Sequence, residues 1–482
     1  MGEIVIAEQV DLPCSPRDAF HLISERGIPP WRLPVGSRIE VGVPIRVSMT
    51  LPPSLGGQET DILGRIVQLE YPGLLVIAHE LPWQGRITIR VRSRPDGTCR
   101  VRLTSSIDED VMNWATRLYM PVITSAQSTS SWKVGMLASG SGAASVFSVA
   151  TRNMATLAVE ELNHSGGVLG RDIELLHGDD GSHPGLGAAE LVRLKASGCD
   201  VVLANVTSAT FRKLLPVARK HRVLLLHTLM NEGGAAGEES FRLGERPMAQ
   251  ASAAIPAVMH ATGGERFFLA GNDYCWPRSM LRSARKVITR AGGVAGDEHY
   301  LPLGTIDFSS LIDSIERSRA ELVVSTFVGA DEVAFEQQMH TAGMATKTRT
   351  VSFTLDESTH EYIGPIASAG LWTVFSYFEA LQSAENAAFL ATYRARFGAD
   401  APPASSLTEC VYEALHLVAR AATAAGDIDP SAVGRQLRDG VTFTGPRGHV
   451  EVSSRGLRQP IYVAHSVDGK LEAIDPFGSC AG

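Results

Sequence analysis

Residues that could carry out catalysis are sparse in this sequence. Asp179 and Asp180 are adjacent carboxylates at the end of a strand-like run, which would suit a metal or an acid–base pair. They suit equally a turn ahead of a helix starting near Pro184, and we favour this structural role. The 14 histidines do not cluster at metal-ligand spacing, and GxSxG, GxxxxGK and HExxH motifs are absent. We therefore predict a non-catalytic protein with no metal site and no cofactor.

A turn of small residues suggests binding chemistry instead. Residues 132–170 have the sequence WKVGMLASGSGAASVFSVATRNMATLAVEELNHSGGVLG. A short apolar strand leads into Ser139, Gly140, Ser141 and Gly142, and a helical pattern then continues to a pair of glycines. Such a turn presents backbone N–H groups at a helix N-terminus, where a small polar or anionic ligand can be held. We expect the turn, including Ser139, to form one wall of a ligand site.

Length and composition limit the function classes. A chain of 482 residues predicts two or three domains. The hydrophobic content of 44%, the charged content of 20% and the net charge of −8 are typical of a soluble globular protein and do not indicate nucleic-acid binding. The arginines within residues 86–102 alternate with apolar residues, which predicts the polar face of strands rather than a phosphate-binding patch.

The N-terminal residues predict a cytoplasmic location. They include Glu3, Glu8 and Asp11 but no basic segment, and the apolar run at 4–7 is too short for a signal peptide. No stretch approaches the roughly 20 apolar residues of a membrane span, so we predict no membrane insertion. The six cysteines are scattered without CxxC spacing, which argues against a zinc site or a disulfide framework.

Residues 1–123 are predicted to form a separate α+β domain. A strand at 3–10 and a helix at 17–24 precede a series of strand-like runs, and a helix at 109–119 closes the region. The strand-like runs are 39–50, 62–71, 74–80, 86–94 and 99–107. With the segments SPRDAFHLIS, GRIVQLEYPGLLVI and DGTCRVRLT, this order resembles the SRPBCC or START-like helix-grip superfamily. The polar segment TSAQSTSS at 124–131 is predicted to be a linker.

Residues 132–482 are predicted to form two doubly wound α/β lobes. Strand-like and helical runs alternate from residue 132, which implies parallel sheets flanked by helices. Ligands of such folds bind near the carboxyl ends of the strands, here between the two lobes. After residue 440 the sequence returns to strand patterns in GHVEV, PIYVAHSV and KLEAI.

This part of the chain resembles the type 1 periplasmic binding proteins of the Leu/Ile/Val and amide/urea class. The resemblance rests on residues 132–170 and on five further segments, and it extends over about residues 132–475. These segments are GVLGRDIELLHGDDGSHP, VVLANVTSATFRKLLPVARKHRVLLLHTLMNEGG, FFLAGNDYCWPRSM, VSTFVGADE and TGPRGHVEV. In FFLAGNDYCWPRSM, Asp273, Tyr274, Pro277 and Arg278 stand at the spacing of the amide/urea subgroup.

The resemblance implies a set of ligand-binding residues. Thr207 and Ser208 stand where the family hydrogen-bonds its ligand, and Ser208 also suits a plain helix cap. The full set is Ser139, Thr207, Ser208, His227, Leu229, Tyr274, Trp276, Phe327 and Gly329. Tyr274 and Trp276 suit either a pocket wall or packing at the lobe interface. His227 and Leu229 replace aromatic or polar residues of amide and urea binders, so we expect a changed specificity.

Three functions follow from these observations. We favour a cytoplasmic sensor that binds a small amide, urea or amino acid and acts on a regulatory partner. The alternative is the substrate-binding component of an ABC transporter for amides, urea or branched-chain amino acids, with a permease as partner. An enzyme based on the N-terminal domain is the third, although His21, Asp61 and His79 are scattered. Association into a homo-oligomer is left open.

Overall fold

The computed structural model describes most of the chain. The described residues are 3–26, 31–32, 39–50, 59–81, 85–94, 97–108, 131–233, 237, 239–399 and 401–474. The predicted helix at 109–119 and the predicted linker up to residue 130 lie outside them. Ser131, assigned to the linker, already belongs to a strand. No helix among the described residues is long and apolar enough to cross a lipid bilayer.

The N-terminal region is a seven-stranded antiparallel sheet in the order β1-β7-β6-β5-β4-β3-β2. Its strands are β1 (Glu3–Leu12), β2 (Trp31–Arg32), β3 (Pro44–Thr50), β4 (Glu59–Glu70), β5 (Leu74–Leu81), β6 (Gly85–Ser93) and β7 (Cys99–Asp108). Helix α1 (Pro16–Arg26) packs on the sheet through Ala19, Phe20 and Ile23. The helix-grip resemblance is not confirmed, because the described part is largely antiparallel sheet and the predicted closing helix lies outside it.

The predicted arginine-bearing strand face is confirmed. Ile87 and Ile89 of β6 are buried in the core of the sheet, whereas Arg90 and Arg92 on the same strand are exposed. Arg100 on β7 forms an ion pair with Asp11 at 2.8 Å. The arginines therefore follow the two-residue repeat of a strand with one solvated face.

The first lobe begins with a five-stranded parallel sheet in the order β12-β11-β10-β8-β9. Its strands are β8 (Ser131–Ala138), β9 (Asp172–Asp179), β10 (Val201–Asn205), β11 (Leu224–His227) and β12 (Ser240–Arg242). Helices α2 (Ser148–His164), α3 (Pro184–Ala196) and α4 (Ser208–His221) connect them. Val201 and Leu203 face one core while Val202 and Ala204 face another, so the sheet is covered on both sides as predicted.

The second lobe is a larger sheet in the order β14-β13-β15-β16-β17-β21-β22. Its parallel strands are β13 (Arg266–Asn272), β14 (Val294–Leu301), β15 (Leu322–Thr326), β16 (Arg349–Ser352) and β17 (Trp372–Phe375). Its helices are α5 (Pro247–Thr262), α6 (Cys275–Arg290), α7 (Ser309–Ser318), α8 (Ala330–Thr341) and α9 (Glu357–Ile363). Strand β21 (Tyr462–Val467) joins β17 antiparallel, and β22 (Lys470–Ile474) pairs with β21.

The last third of the chain returns to the first lobe before it ends in the second. The returning elements are α10 (Ala384–Phe397), α11 (Ser406–Ala425), α12 (Pro430–Asp439), β18 (Val441–Gly445), β19 (Gly448–Ser453) and β20 (Gly456–Arg458). Phe389 of α10, Leu415 of α11 and Val450 of β19 share the core of the first lobe with Val201. Among the described residues the chain therefore passes between the lobes three times, at 243–246, 376–383 and 459–461.

A buried ionic network links these three crossings. Arg447 in the β18–β19 hairpin donates to Gln459 Oε1 at 2.7 Å and to the Ser376 hydroxyl oxygen. The hydroxyl of Ser376 donates in turn to the carboxylate of Glu245. One residue from each crossing, Glu245, Ser376 and Gln459, is thereby held within one hydrogen-bonded group.

Two further carboxylates balance the charge of Arg447. Its Nη2 lies 2.6 Å from Glu409 Oε2, and its Nε lies 2.8 Å from Glu413 Oε2. All three side chains are buried, and burial raises the pKa of Glu413 well above its ordinary value. Removal of the cation would leave these carboxylates without their counter-charge in a site that excludes water.

We expect Arg447→Met to lower the free energy of unfolding by about 3–5 kcal/mol, because it leaves buried carboxylates without their cation. Urea denaturation followed by circular dichroism measures the change. Arg396→Met is the matched control, since Arg396 forms an ion pair with Glu160 at 2.7 Å on the surface. Equal denaturation midpoints for the two variants would contradict the role given to Arg447.

Candidate functional site

Two carboxylates hold the glycine-serine turn after β8. The backbone N–H groups of Gly140 and Ser141 donate to Asp179 Oδ1 at 2.8 and 3.2 Å. The hydroxyl of Ser139 donates to Asp180 Oδ1 at 2.7 Å. The expectation that this turn presents free N–H groups to a ligand is therefore wrong for Gly140 and Ser141, whose N–H groups are already bonded.

The structural role favoured for the adjacent aspartates is confirmed. Asp179 also accepts from the Gly181 N–H at 2.8 Å, and Asp180 accepts from the Ser182 N–H at 2.9 Å. Burial raises the pKa of Asp180 to about 6, and the hydrogen bond from Ser139 opposes that rise. Both carboxylates thus fix the shape of the turns that face the second lobe.

The two lobes contact each other directly beside this turn. The backbone N–H of Ala330, the first residue of α8, donates to the carbonyl of Ala143 at 3.0 Å. Gly329, which precedes it, has a φ of +60°. A Cβ atom at position 329 would lie 2.4 Å from the Ala143 oxygen. Position 329 therefore requires glycine both for its backbone conformation and for this close approach.

Thr207 and Ser208 lie at the N-terminus of α4 in the first lobe. Thr207 caps the helix, and its Oγ1 accepts from the Thr210 N–H at 3.3 Å. The hydroxyl of Ser208 is buried and lies 3.5 Å from the carbonyl oxygen of Met230, which makes it a long hydrogen bond. Such a weakly held hydroxyl can turn to a ligand at low cost.

The surface where the two lobes meet, around Ala143 and Ala330, is called the seam. Its two sides are connected by Leu229, Met230 and Tyr274. Leu229 packs against the cores of both lobes, and Met230 belongs to the apolar cluster against which Tyr274 packs. Tyr274 is half-buried in front of α6, and burial raises its pKa well above the ordinary value. The phenol therefore stays protonated and can donate a hydrogen bond.

The structure places three other predicted residues inside the lobes. His227 is fully buried, stacks on Phe211 with 4.3 Å between ring centroids, and has its Nε2 2.9 Å from the Val206 carbonyl oxygen. Trp276 is buried in the second-lobe core. Phe327 packs against two phenylalanines in the same lobe, Phe308 and Phe335, each with 4.9 Å between ring centroids.

The structure thus divides the predicted set. Ser139, Ser208, Leu229, Tyr274 and Gly329 lie at or beside the seam between the lobes, whereas the hydroxyl of Thr207 caps α4. The sequence analysis missed the Ala143 carbonyl, Arg212 and the crossing residues. Helix α4 also contacts α6 across the seam, where the charge of Arg212 opposes the rise that burial causes in the pKa of Cys275. The segment TGPRGHVEV contains Arg447, but its pattern indicated only a strand.

The sequence profile described as periplasmic binding protein matches residues 131–470. The chain belongs to this family. It is 25% identical over 350 residues to a Leu/Ile/Val-binding protein homolog of Brucella melitensis, which covers 71% of this chain and 93% of that protein.

Solved structures of periplasmic binding proteins show the same fold. A solute-binding protein of an ABC transporter from R. palustris, in complex with benzoate, has a TM-score of 0.65 at 21% identity, covering 72% of this chain and 96% of that chain. A branched-chain amino acid transporter substrate-binding protein from Streptococcus pneumoniae, in complex with isoleucine, has a TM-score of 0.62 at 20% identity, covering 72% of this chain and 100% of that chain.

Membership of this family corrects the predicted location and narrows the predicted ligand class. The predicted cytoplasmic location is wrong, because the chain belongs to a family of periplasmic binding proteins, and the benzoate-bound structure above is a solute-binding protein of an ABC transporter. The Leu/Ile/Val-binding class is supported, whereas the amide/urea specificity and the N-terminal helix-grip assignment are not. The short apolar run and acidic residues at the N-terminus were therefore a misleading guide to location.

We expect Gly329→Ala to separate the lobes, because the added Cβ would overlap the Ala143 carbonyl oxygen. Small-angle X-ray scattering would show an increased radius of gyration. Gly343→Ala is the control, since Gly343 has a φ of +71° with no atom within 4 Å of a built Cβ. Both variants strain the backbone, so an equal change in both would contradict a specific effect at the lobe contact.

We expect His227 to make stability depend on pH. Burial lowers its pKa from 6.5 to about 4. As the pH falls, the unfolded chain protonates His227 near pH 6.5, whereas the folded chain does so only near pH 4. Between these two values the proton stabilises the unfolded chain, so the free energy of unfolding should fall by about 3 kcal/mol. His227→Gln keeps a donor but does not titrate, so thermal denaturation across this range should show a shallower slope. Identical slopes would contradict the prediction.

Proposed function

We propose that this chain is the solute-binding component of an ABC-type uptake system, with a membrane permease as its partner. The observation that carries the proposal is the seam where the Ala330 N–H meets the Ala143 carbonyl, with Ser208 and Tyr274 beside it. Three crossings joined by the Arg447 network give the lobes a common axis of rotation, as in hinge closure around a ligand. The named relatives and solved structures support the same class of protein.

The chemistry of the seam favours a small carboxylate with an apolar body. The hydroxyl groups of Ser208 and Tyr274 are donors suited to carboxylate oxygens. Leu229 and Met230 provide apolar surface at the seam, and the Met230 carbonyl lies beside the Ser208 hydroxyl. Amino acids with apolar side chains and aromatic carboxylates fit this combination, which agrees with the ligands of the two structures above. Acetamide and urea lack the apolar body.

The predicted sensor that acts on a regulatory partner is supported less well than the transport alternative. It depended on a cytoplasmic location, which the family contradicts. The binding step itself is common to both functions, since each requires a solute to be enclosed between the lobes. A transport role adds only that the closed form is recognised by the permease.

We propose the domain division predicted from the sequence, with residues 1–123 as one domain, 124–131 as a linker and 132–482 as the binding module. Strand β7 ends the N-terminal sheet at Asp108, and the first lobe begins with β8. The family match from residue 131 supports the second boundary. Within the linker, Ser131 is better assigned to the binding module.

We expect a leucine, isoleucine, benzoate or 4-hydroxybenzoate titration to raise the thermal midpoint and to give a binding isotherm by calorimetry. Ser208→Ala and Tyr274→Phe should each weaken binding by about 5- to 100-fold, because each removes one hydrogen bond from a site that excludes water. Acetamide and urea belong in the same panel as compounds without the apolar body.

Two variants control for unspecific effects. Tyr300→Phe removes a phenol that donates to Glu298 Oε2 at 2.6 Å within the second lobe, and Ser314→Ala removes an exposed hydroxyl on α7. Both should bind as the wild type does. If all six compounds leave the wild-type midpoint unmoved at millimolar concentration, the proposed solute class is wrong. Binding of urea or acetamide alone would restore the amide specificity.

A further inference from the structure

The N-terminal sheet contacts the binding module through the outer face of β3 and β4. Successive side chains of β4 pack into different hydrophobic cores, because side chains alternate between the two faces along a strand. Ile62 packs inside the N-terminal sheet, whereas Leu63 is 3% exposed and packs with residues of the binding module. Strand β3 also contacts α9 of the second lobe. A leucine of one domain is thus buried in the core of another.

This outer face lies against both lobes at once. A cavity at this contact is lined by the N-terminal sheet and by both lobes. The sheet contributes residues of β3 and β4, the first lobe contributes the 3₁₀ turn at 145–147, and the second lobe contributes α8 and α9. Its lining includes Arg46, Leu63, Val146, Ala330, Val333 and Tyr362. Val146 is three residues from Ala143, and Ala330 is the residue that donates to Ala143. The sheet therefore covers the place where the lobes meet.

The N-terminal sheet and the second lobe carry side chains of opposite charge at this contact. Arg65 Nη2 lies 2.8 Å from Glu361 Oε1 on α9. Arg46 on β3 is near enough to Asp331 on α8 for its charge to oppose the pKa rise that burial causes. Asp331 is itself fixed by hydrogen bonds from Asn272 and Gly304, at 2.8 and 2.9 Å. Two arginines of the sheet therefore face two acidic residues of the second lobe.

We expect this contact to require the lobe arrangement of this structure, for a geometric reason. Separation of the lobes moves Val146 away from Ala330, and one rigid sheet face cannot stay packed against both. A contact that forms only in the closed state shifts the equilibrium towards that state by its own free energy. The same linkage slows the escape of anything enclosed between the lobes.

We propose that the outer face of β3–β4 is a docking surface for the closed binding module, so that the N-terminal sheet holds the lobes together and slows solute release. This inference rests on the proposed function only for the solute-release step. The effect on the lobes does not require any ligand and is tested separately.

The test is hydrogen exchange, measured by mass spectrometry on the full chain without added ligand. Glu361→Arg places two like charges at the contact and should raise exchange about 2- to 5-fold in peptides from both lobes, covering 143–150 and 330–341. The charge swap Arg65→Glu with Glu361→Arg should restore wild-type exchange. Glu316→Arg is the control, because Glu316 pairs with Lys347 on the surface of the second lobe.

A rise confined to α9, or a double variant that stays as fast as Glu361→Arg, would overturn the proposal. A second measurement follows the release of radiolabelled leucine or benzoate, which Glu361→Arg should accelerate and the charge swap should slow again. Unchanged release with altered exchange in both lobes would overturn the solute-release step. If none of the six compounds binds, the proposed solute class fails, and exchange in the ligand-free chain still decides whether the sheet holds the lobes.

Discussion

The arrangement of this molecule depends on the burial of one cation, Arg447, among carboxylates where the chain crosses between lobes. A guanidinium group has donors in several directions, so it can bind Glu409, Gln459 and the Ser376 hydroxyl together. Each partner comes from a different stretch of chain. A buried charge of this kind demands a complete set of partners, since every missing one leaves a desolvated group. The crossings are therefore fixed relative to one another while the lobes beyond them remain separate bodies.

The seam between the lobes is held by much weaker interactions. The bond between Ala330 and Ala143 is a single backbone hydrogen bond, and the Ser208 hydroxyl is only loosely held by the Met230 carbonyl. Such contacts contribute little net free energy each. A strong, buried axis with a weak, partly polar seam suits a protein that opens and closes around a solute. The N-terminal sheet adds apolar area and charge pairs at that seam, where a small free energy changes the balance most.

Much of the fold could be predicted from the sequence because its periodicity is local. The strand predicted at 3–10 lies within β1, and the helix predicted at 17–24 lies within α1. The glycine-serine turn was located correctly, but its hydrogen bonds were not. Its N–H groups are bonded to Asp179, which lies about forty residues further along the chain, and a local pattern contains no information about such a partner.

The sequence by itself determined the alternation of strands and helices and the two mainly parallel sheets, because these depend on side-chain periodicity and local turns. Its segments also carried the likeness to periplasmic binding proteins. Tertiary structure alone decided which residues meet. His227, Trp276 and Phe327 end within lobe cores, whereas Ser208, Leu229 and Tyr274 reach the seam. The physical reason is that burial depends on the packing of distant elements. Arg447 shows this most clearly, since an arginine in a hairpin gives no sign in sequence that it will be buried between two lobes.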